Sequence, residues 1–100
     1  MAPPYVAAKF DRIHLDFIEN LPNIDGYRLA LVIVDSASRW TVIVPLRSNE
    51  APVVAYALWT MWILPYTFPK VVTTDRALAF FECVFNIIYD TFLAQHMTGL

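Results

Sequence analysis

Glycine, cysteine and charged residues are scarce in this sequence of 100 residues. Two residues are glycine, one is cysteine and 16% are charged, whereas ordinary domains carry about 7% glycine and roughly 25% charged residues. The single cysteine, Cys83, excludes a disulfide-stabilised scaffold. Seven basic against nine acidic residues exclude a strongly basic nucleic-acid tail. Because no repeat or heptad occurs, collagen-like, coiled-coil and low-complexity chains are excluded as well.

Apolar residues, by contrast, make up 58% of the chain. Such a chain has enough apolar surface to bury a core, which excludes disorder, and its length suits one domain. The longest uncharged stretch, residues 51–69, is interrupted by three prolines. Its unbroken part, residues 53–64, is shorter than the roughly 20 residues of a transmembrane helix. We therefore expect a core helix there and no membrane contact, with a small membrane protein built on this segment as the alternative.

Three consecutive strands are predicted in the first half of the chain, over residues 10–19, 27–35 and 39–46. In the first strand, Ile13 and Leu15 alternate with more polar neighbours, which predicts one buried face. The second strand is a continuous apolar run and is expected to be buried on both faces. The links between the strands are short, and Asp-Gly marks the first turn. The strands are therefore expected to form an antiparallel meander.

Two helices and a fourth strand are predicted in the second half. Ser48, Asn49 and Glu50 are typical of a helix N-terminus capped by a side chain, and the helix is expected to end at Pro65. A short β-branched strand follows at residues 70–74, and a second helix at 79–93. The order βββαβα predicts an α/β fold with a mixed sheet. The residues of the expected apolar helix stripes are Val54, Leu58, Met61 and Trp62 in the first helix and Phe81, Val84, Phe85, Ile88 and Phe92 in the second.

Two aspartates stand at positions that are unusual for aspartate. Asp16 lies within the first strand and Asp75 closes the fourth, although aspartate is depleted in strands. If these strands are neighbours, both carboxylates face one pocket. Carboxylate oxygens are ligands that suit Mg²⁺, and two such ions could assist a phosphoryl transfer. In the plainer interpretation, Asp75 caps the following turn and Asp16 pairs with Arg12 or another arginine.

Several short motifs occur in one order between residues 10 and 96. They are FDRIHLDFI at 10–18, GYR at 26–28, LVIVD at 31–35, SRW at 38–40, FPK at 68–70, TTDR at 73–76 with Phe80 behind it, and finally His96. In this order they resemble the integrase catalytic core of retroviruses and long-terminal-repeat retrotransposons, above all of Gypsy-type elements. Each motif alone is weak, but the series in register is specific.

The resemblance implies an RNase H-like fold and metal-dependent phosphoryl transfer on DNA, in which the element's 3′ ends are trimmed and then joined to target DNA. Asp16 and Asp75 would be catalytic acids and ligands of Mg²⁺ or Mn²⁺. The implied partner is DNA, with a homo-oligomer left open. Residues 1–9 would be an N-terminal extension and 10–100 a partial catalytic core domain. Because residues 1–8 contain no secretory signal, we expect a location in the nucleus or cytoplasm.

The sequence also departs from the family pattern. The third acid of the family lies about 35 residues after the second, near position ~111, so none is in this chain and we expect the fragment to be inactive. Glu82 is too close to Asp75 to replace it. Glycines that the family usually carries are replaced at four places, which predicts altered loops because glycine permits φ > 0. These replacements are Glu19-Asn20, Thr67, Ala77 and Leu93.

Other polar residues carry weaker hypotheses. Arg39 is a tentative DNA contact, with an exposed Arg39 beside a Trp40 packed in the sheet as the alternative. Arg76 is expected either to contact phosphate or to hold its loop. His14 and His96 are interpreted as structural rather than metal-binding, and Cys83 as a buried apolar side chain.

A second function class remains open at this point. The chain could be a non-catalytic DNA- or protein-interaction remnant of a retroelement. A net charge of −2 argues against strong non-specific DNA affinity, because lysine and arginine supply that affinity by neutralising phosphates. Salt-dependent DNA binding with a steep slope would support the remnant hypothesis.

Overall fold

The computed structural model describes residues 10–94, so the N-terminal extension 1–9 and His96 lie outside the described part. A four-stranded sheet has the order β3-β2-β1-β4. β2 pairs antiparallel with both β1 and β3, whereas β4 pairs parallel with β1. The predicted meander and mixed sheet are therefore confirmed. The strands are β1 Arg12–Ile18, β2 Leu29–Asp35, β3 Thr41–Leu46 and β4 Val71–Thr74.

Two helices complete the described part of the chain. α1, Ala51–Leu58, continues through a π-helical segment at Trp59–Ile63. α2, Leu78–Ile87, continues in the same way at Ile88–Leu93. The two helices contact each other partly through aromatic rings, for example Trp59 stacked on Phe92 with centroids 5.5 Å apart. Within residues 10–94, no helix has the length and apolar character that crossing a membrane requires.

The core lies between the helices and one face of the sheet. Ile13 and Leu15 of β1 are completely buried, together with Leu31 and Ile33 of β2. The alternation predicted for β1 is confirmed, since successive side chains of a strand point to opposite faces. The expectation that β2 is buried on both faces holds on its second face only at Ala30. It is wrong for Val32 and Val34, which are partly exposed, because both described helices pack on the other face.

The first helix is buried on most of its circumference, as predicted, but its cap and one stripe residue differ. The N-cap is Glu50, with no side-chain cap hydrogen bond. Ser48 instead accepts a hydrogen bond from the backbone N–H of Glu50. Met61 was expected in the buried stripe and is 46% exposed, because it lies in the π-helical segment, where the angular step per residue differs from that of an α-helix.

Two further side-chain predictions are wrong. Trp40 does not pack in the sheet: it precedes β3, is 54% exposed, and its indole Nε1 donates to the Tyr66 hydroxyl at 3.0 Å. Cys83 is exposed rather than buried. At 3.6 residues per turn, Cys83 lies about 200° around α2 from the buried Phe81, so it falls outside the apolar stripe. That stripe is otherwise confirmed by the complete burial of Val84 and Ile88.

The glycine replacements are compatible with the backbone. Asn20 has φ +58°, and asparagine tolerates this left-handed region better than most residues. Ala77 has φ −123°, and neither Thr67 nor Leu93 has a positive φ. The left-handed residue of the loop after β1 is thus Asn20, one position after Glu19, which replaces the family's glycine and has no positive φ. None of the four positions that lost glycine requires it in this fold.

Replacing Gly26 by alanine is expected to lower the free energy of unfolding by about 1–2 kcal/mol. Gly26 has φ +86°, and a Cβ there would lie 2.7 Å from the Arg47 guanidinium nitrogen Nη1. Urea denaturation measures the difference. Asn20→Gly is the matched control, because glycine suits the left-handed backbone and is expected to change stability little. A Gly26→Ala variant as stable as the unchanged chain would contradict the prediction.

Candidate functional site

The parallel pairing of β1 with β4 brings the two candidate aspartates together. Leu15 is paired with Thr74, the last residue of β4, so Asp16 and Asp75 each directly follow this pair, at one end of strands about 4.8 Å apart. Asp16 follows the buried Leu15 in β1 and therefore belongs to the opposite, open face of the sheet. The condition stated from the sequence, that the two strands are neighbours, is confirmed.

His14 lies next to this pair on the same open face. Its ring atom Nδ1 is 2.8 Å from the Thr73 hydroxyl, and Nε2 is 3.8 Å from Oδ2 of Asp75. The side chain of Asp75 is 77% exposed, so His14 contacts a carboxylate that is largely solvated. Sequence reasoning missed this contact. The available signal was the spacing of two residues between His14 and Asp16, which places both on one strand face.

A concavity of about 290 Å³ opens beside Asp16, and its lining includes Thr74 and Arg76 on either side of Asp75, but not Asp75 itself. Asp16 lines it and accepts a hydrogen bond from the backbone N–H of Phe17 at 2.8 Å. Glu19, which the sequence singled out only as a glycine replacement and not as a site residue, contributes a further carboxylate to the lining. Oxygen ligands of this kind suit Mg²⁺, which also binds through water and substrate phosphate. Across residues 10–94, no cluster of three or more acidic, histidine or cysteine side chains is arranged to hold a metal.

Asp75 does not cap the helix that follows it, and the plainer interpretation that it caps the following turn stays a prediction. The N-cap of α2 is Ala77, which has no side-chain cap hydrogen bond. The carboxylate of Asp75 faces His14 instead. Its position is therefore set by the β1–β4 pairing rather than by the helix, which leaves its oxygens open to a ligand.

Of the two candidate DNA-binding arginines, only Arg76 lies at this site. Arg39 follows β2, whose last residue, Asp35, pairs with Ile13 near the start of β1. Asp16 lies three residues further along β1, about 10 Å away along the strand. Arg39 is exposed and has φ +68°. The structure thus separates the two arginines, and the DNA contact of Arg39 stays a prediction.

Asp35 is a buried carboxylate with a structural role. It accepts hydrogen bonds at 2.9 Å from the backbone N–H groups of Phe10 and Ser38, and a third from the Ser38 hydroxyl. Burial raises the pKa of Asp35, but the hydrogen bonds from Ser38, Phe10 and Ala37 outweigh burial and leave the pKa below its ordinary value. Asp35 thereby ties the segment before β1 to the turn after β2.

The chain is similar to parts of retroviral polyproteins. It is 35% identical over 66 residues to the Gag-Pol polyprotein of baboon endogenous virus (strain M7), and this match covers 66% of the chain. It is 34% identical over 70 residues to the Gag-Pol polyprotein of feline leukemia virus. It is 29% identical over 89 residues to the Pro-Pol polyprotein of simian foamy virus type 3 (strain LK3), and this match covers 84% of the chain.

These matches concern small regions of long polyproteins. They span 4% of the baboon virus polyprotein and 8% of the foamy virus polyprotein. No protein-family model matches the chain. The similarities support a retroelement-derived region.

Proposed function

We propose that the chain is the integrase catalytic core region of a retroelement polyprotein, with an RNase H-like fold and with Asp16 and Asp75 as ligands of Mg²⁺ or Mn²⁺. The observation that carries the proposal is the parallel pairing of β1 with β4, because Asp16 and Asp75 each directly follow the last residue pair of this register. The similarity to retroviral polyproteins supports it independently. The activity proposed for this region is phosphoryl transfer on DNA, which implies a location in the nucleus or cytoplasm. A homo-oligomer stays a prediction.

The chemistry of the site fits a hard cation. Asp16 is exposed on the open face beside a polar concavity, and carboxylate oxygens are the ligands that Mg²⁺ prefers. When bound, the metal stabilises charge on the attacking and leaving oxygens of a phosphoryl transfer. Asp16 and Asp75 hold the ion, and His14 orients the carboxylate of Asp75. Arg76, at the same concavity, is placed to pair with a substrate phosphate.

The third acid of the proposed family would lie near position ~111, outside these 100 residues. In the proposed family, strand transfer depends on that acid as well, so a strand-transfer assay does not isolate the contribution of Asp16 and Asp75. Metal binding is the sharper test of the proposal, because it needs only the two aspartates.

Asp16→Asn and Asp75→Asn are each expected to weaken Mn²⁺ binding by at least about tenfold, which corresponds to about 1.4 kcal/mol. Each change removes one of two charged oxygen ligands while keeping the shape of the side chain. Titration calorimetry measures the affinity, and circular dichroism checks the fold. Asp90→Asn is the matched control, because Asp90 is exposed in the π-helical segment that continues α2.

One result of the Mn²⁺ titration would contradict the proposed metal site. A folded chain whose Mn²⁺ affinity is the same in the unchanged form and in the Asp16→Asn variant would contradict the assignment of the site. The chain would then be a non-catalytic DNA- or protein-interaction remnant.

A further inference from the structure

We infer that a second concavity at the same end of the sheet holds a phosphodiester group of DNA through Arg28 and Arg47. This inference rests on the proposed function, because it assigns a position to the DNA on which that function acts. The concavity has a volume of about 570 Å³. Its polar lining comes from Glu19, Asn20, Arg28, Arg47, Ser48 and Asn49.

The sheet itself places the two arginines next to each other. β2 begins at Leu29 and β3 ends at Leu46, and these two residues are paired across the strands. Arg28 and Arg47 flank this pair, and the backbone N–H of Arg28 donates to the Leu46 carbonyl at 3.4 Å. Residues separated by 19 positions therefore lie at one end of the sheet, with two guanidinium groups lining one concavity. Such groups pair with phosphate oxygens through two parallel hydrogen bonds.

Arg47 is held by two contacts within the chain. Its Cζ lies 4.3 Å from the centroid of the Tyr27 ring, and its Nη1 donates to the Asp25 carbonyl at 2.6 Å. Gly26 leaves space for the guanidinium, since a Cβ there would approach Nη1 to 2.7 Å. A guanidinium has five N–H donors, so donors remain beyond the one used at Asp25. A side chain that is already ordered loses less entropy on binding.

The distance along the strands between Arg28 and the level of Asp16 suits one DNA duplex. Arg28 lies four residues before Val32, the β2 partner of Asp16, which corresponds to about 13 Å along the strand. Duplex DNA rises 3.4 Å per base pair, so this distance covers about four base pairs. Glu19 lines both concavities and repels phosphate. The expected backbone contacts therefore fall on either side of it, at Arg76 and at the Arg28–Arg47 pair.

Fluorescence anisotropy with a labelled DNA duplex tests this inference. Arg28→Gln and Arg47→Gln are each expected to weaken binding several-fold, and each is expected to reduce the slope of log affinity against log salt by about 0.9. Lys70→Gln is the matched control, because Lys70 is exposed at the start of β4, at the opposite end of the sheet, where it pairs with Asp11. Arg47 packs on Tyr27, so its replacement could disturb the fold, and thermal unfolding checks that each variant is folded. If Arg47→Gln is unfolded, the Arg28→Gln variant alone tests the inference.

Failure of this inference can be distinguished from failure of the proposed function. If the chain binds DNA but Arg28→Gln keeps both the affinity and the salt slope, the assignment of phosphate to the Arg28–Arg47 concavity is wrong. The proposed metal site is not affected by that result. If the chain binds Mn²⁺ through Asp16 but does not bind the duplex, the assignment of phosphate to that concavity is again wrong. If the chain binds neither Mn²⁺ nor DNA, both are wrong.

Discussion

Replacing Trp62 by alanine is expected to lower the free energy of unfolding by about 3–5 kcal/mol, the range for large aromatic truncations in a core. Trp62 is completely buried. Its ring centroid lies 5.4 Å from that of Phe10 and 4.9 Å from that of Tyr66. Alanine removes these contacts and leaves a cavity between the helix and the sheet. Urea denaturation followed by circular dichroism measures the change.

Two further variants separate packing from hydrogen bonding at this position. The indole Nε1 of Trp62 is buried without a hydrogen-bond partner, so Trp62→Phe sacrifices no hydrogen bond and is expected to be less than half as damaging as alanine. Met61→Ala, on the exposed side of the same helical segment, is the control and is expected to change stability by about 0.5 kcal/mol or less. A loss below about 1 kcal/mol for Trp62→Ala would contradict the packing described here.

Replacing Asp35 by alanine is expected to lower the free energy of unfolding by about 2–4 kcal/mol. Asp35 is completely buried, and its carboxylate accepts hydrogen bonds from Phe10 and Ser38. Hydrogen bonds to a charged group contribute about 1.5–3 kcal/mol each, and donors left unpaired in the interior add a desolvation penalty. Denaturant unfolding at pH 7 measures the loss, with the exposed Glu82→Gln on α2 as the control.

The contribution of Asp35 is also expected to depend on pH. Its pKa in the folded chain lies below the ordinary value of 3.8, so the unfolded chain binds the proton more readily. The Asp35 carboxylate therefore stabilises the folded chain fully at a pH above its ordinary pKa. This stabilisation is lost as the pH falls through the lower pKa that Asp35 has in the folded chain. The stability difference between the unchanged chain and Asp35→Asn should be largest near pH 7 and shrink below about pH 3.8. A difference that stays constant down to pH 2 would contradict this expectation.

Much of the fold was predictable because its signals are local. The alternation in β1 and the helical stripe of α2 follow from the side-chain period of each element, and both are confirmed by the burial of Leu15 and Val84. Exposure at individual positions was less predictable. Trp40 and Met61 are apolar and yet exposed, because exposure depends on which neighbours cover a side chain rather than on its own hydrophobicity.

The candidate site was predictable in its residue types and not in its arrangement. Asp16 and Asp75 stand out in the sequence because aspartate is depleted in strands. Their juxtaposition depends on the choice of β4 as the neighbour of β1, which no local pattern specifies. The contact between His14 and Asp75 follows from that same choice.

The sequence pattern over a few residues already specified the order of strands and helices, the buried faces and the two unusual aspartates. It did so because side-chain periodicity operates over that short range. Which residues meet was settled by pairing between distant segments. His14 and Thr73 are 59 positions apart and in contact, and Arg28 and Arg47 line one concavity beside the Leu29–Leu46 pair. Strand partners and register are selected by burial of the whole sheet face, and that is a property of the assembled fold rather than of any one segment.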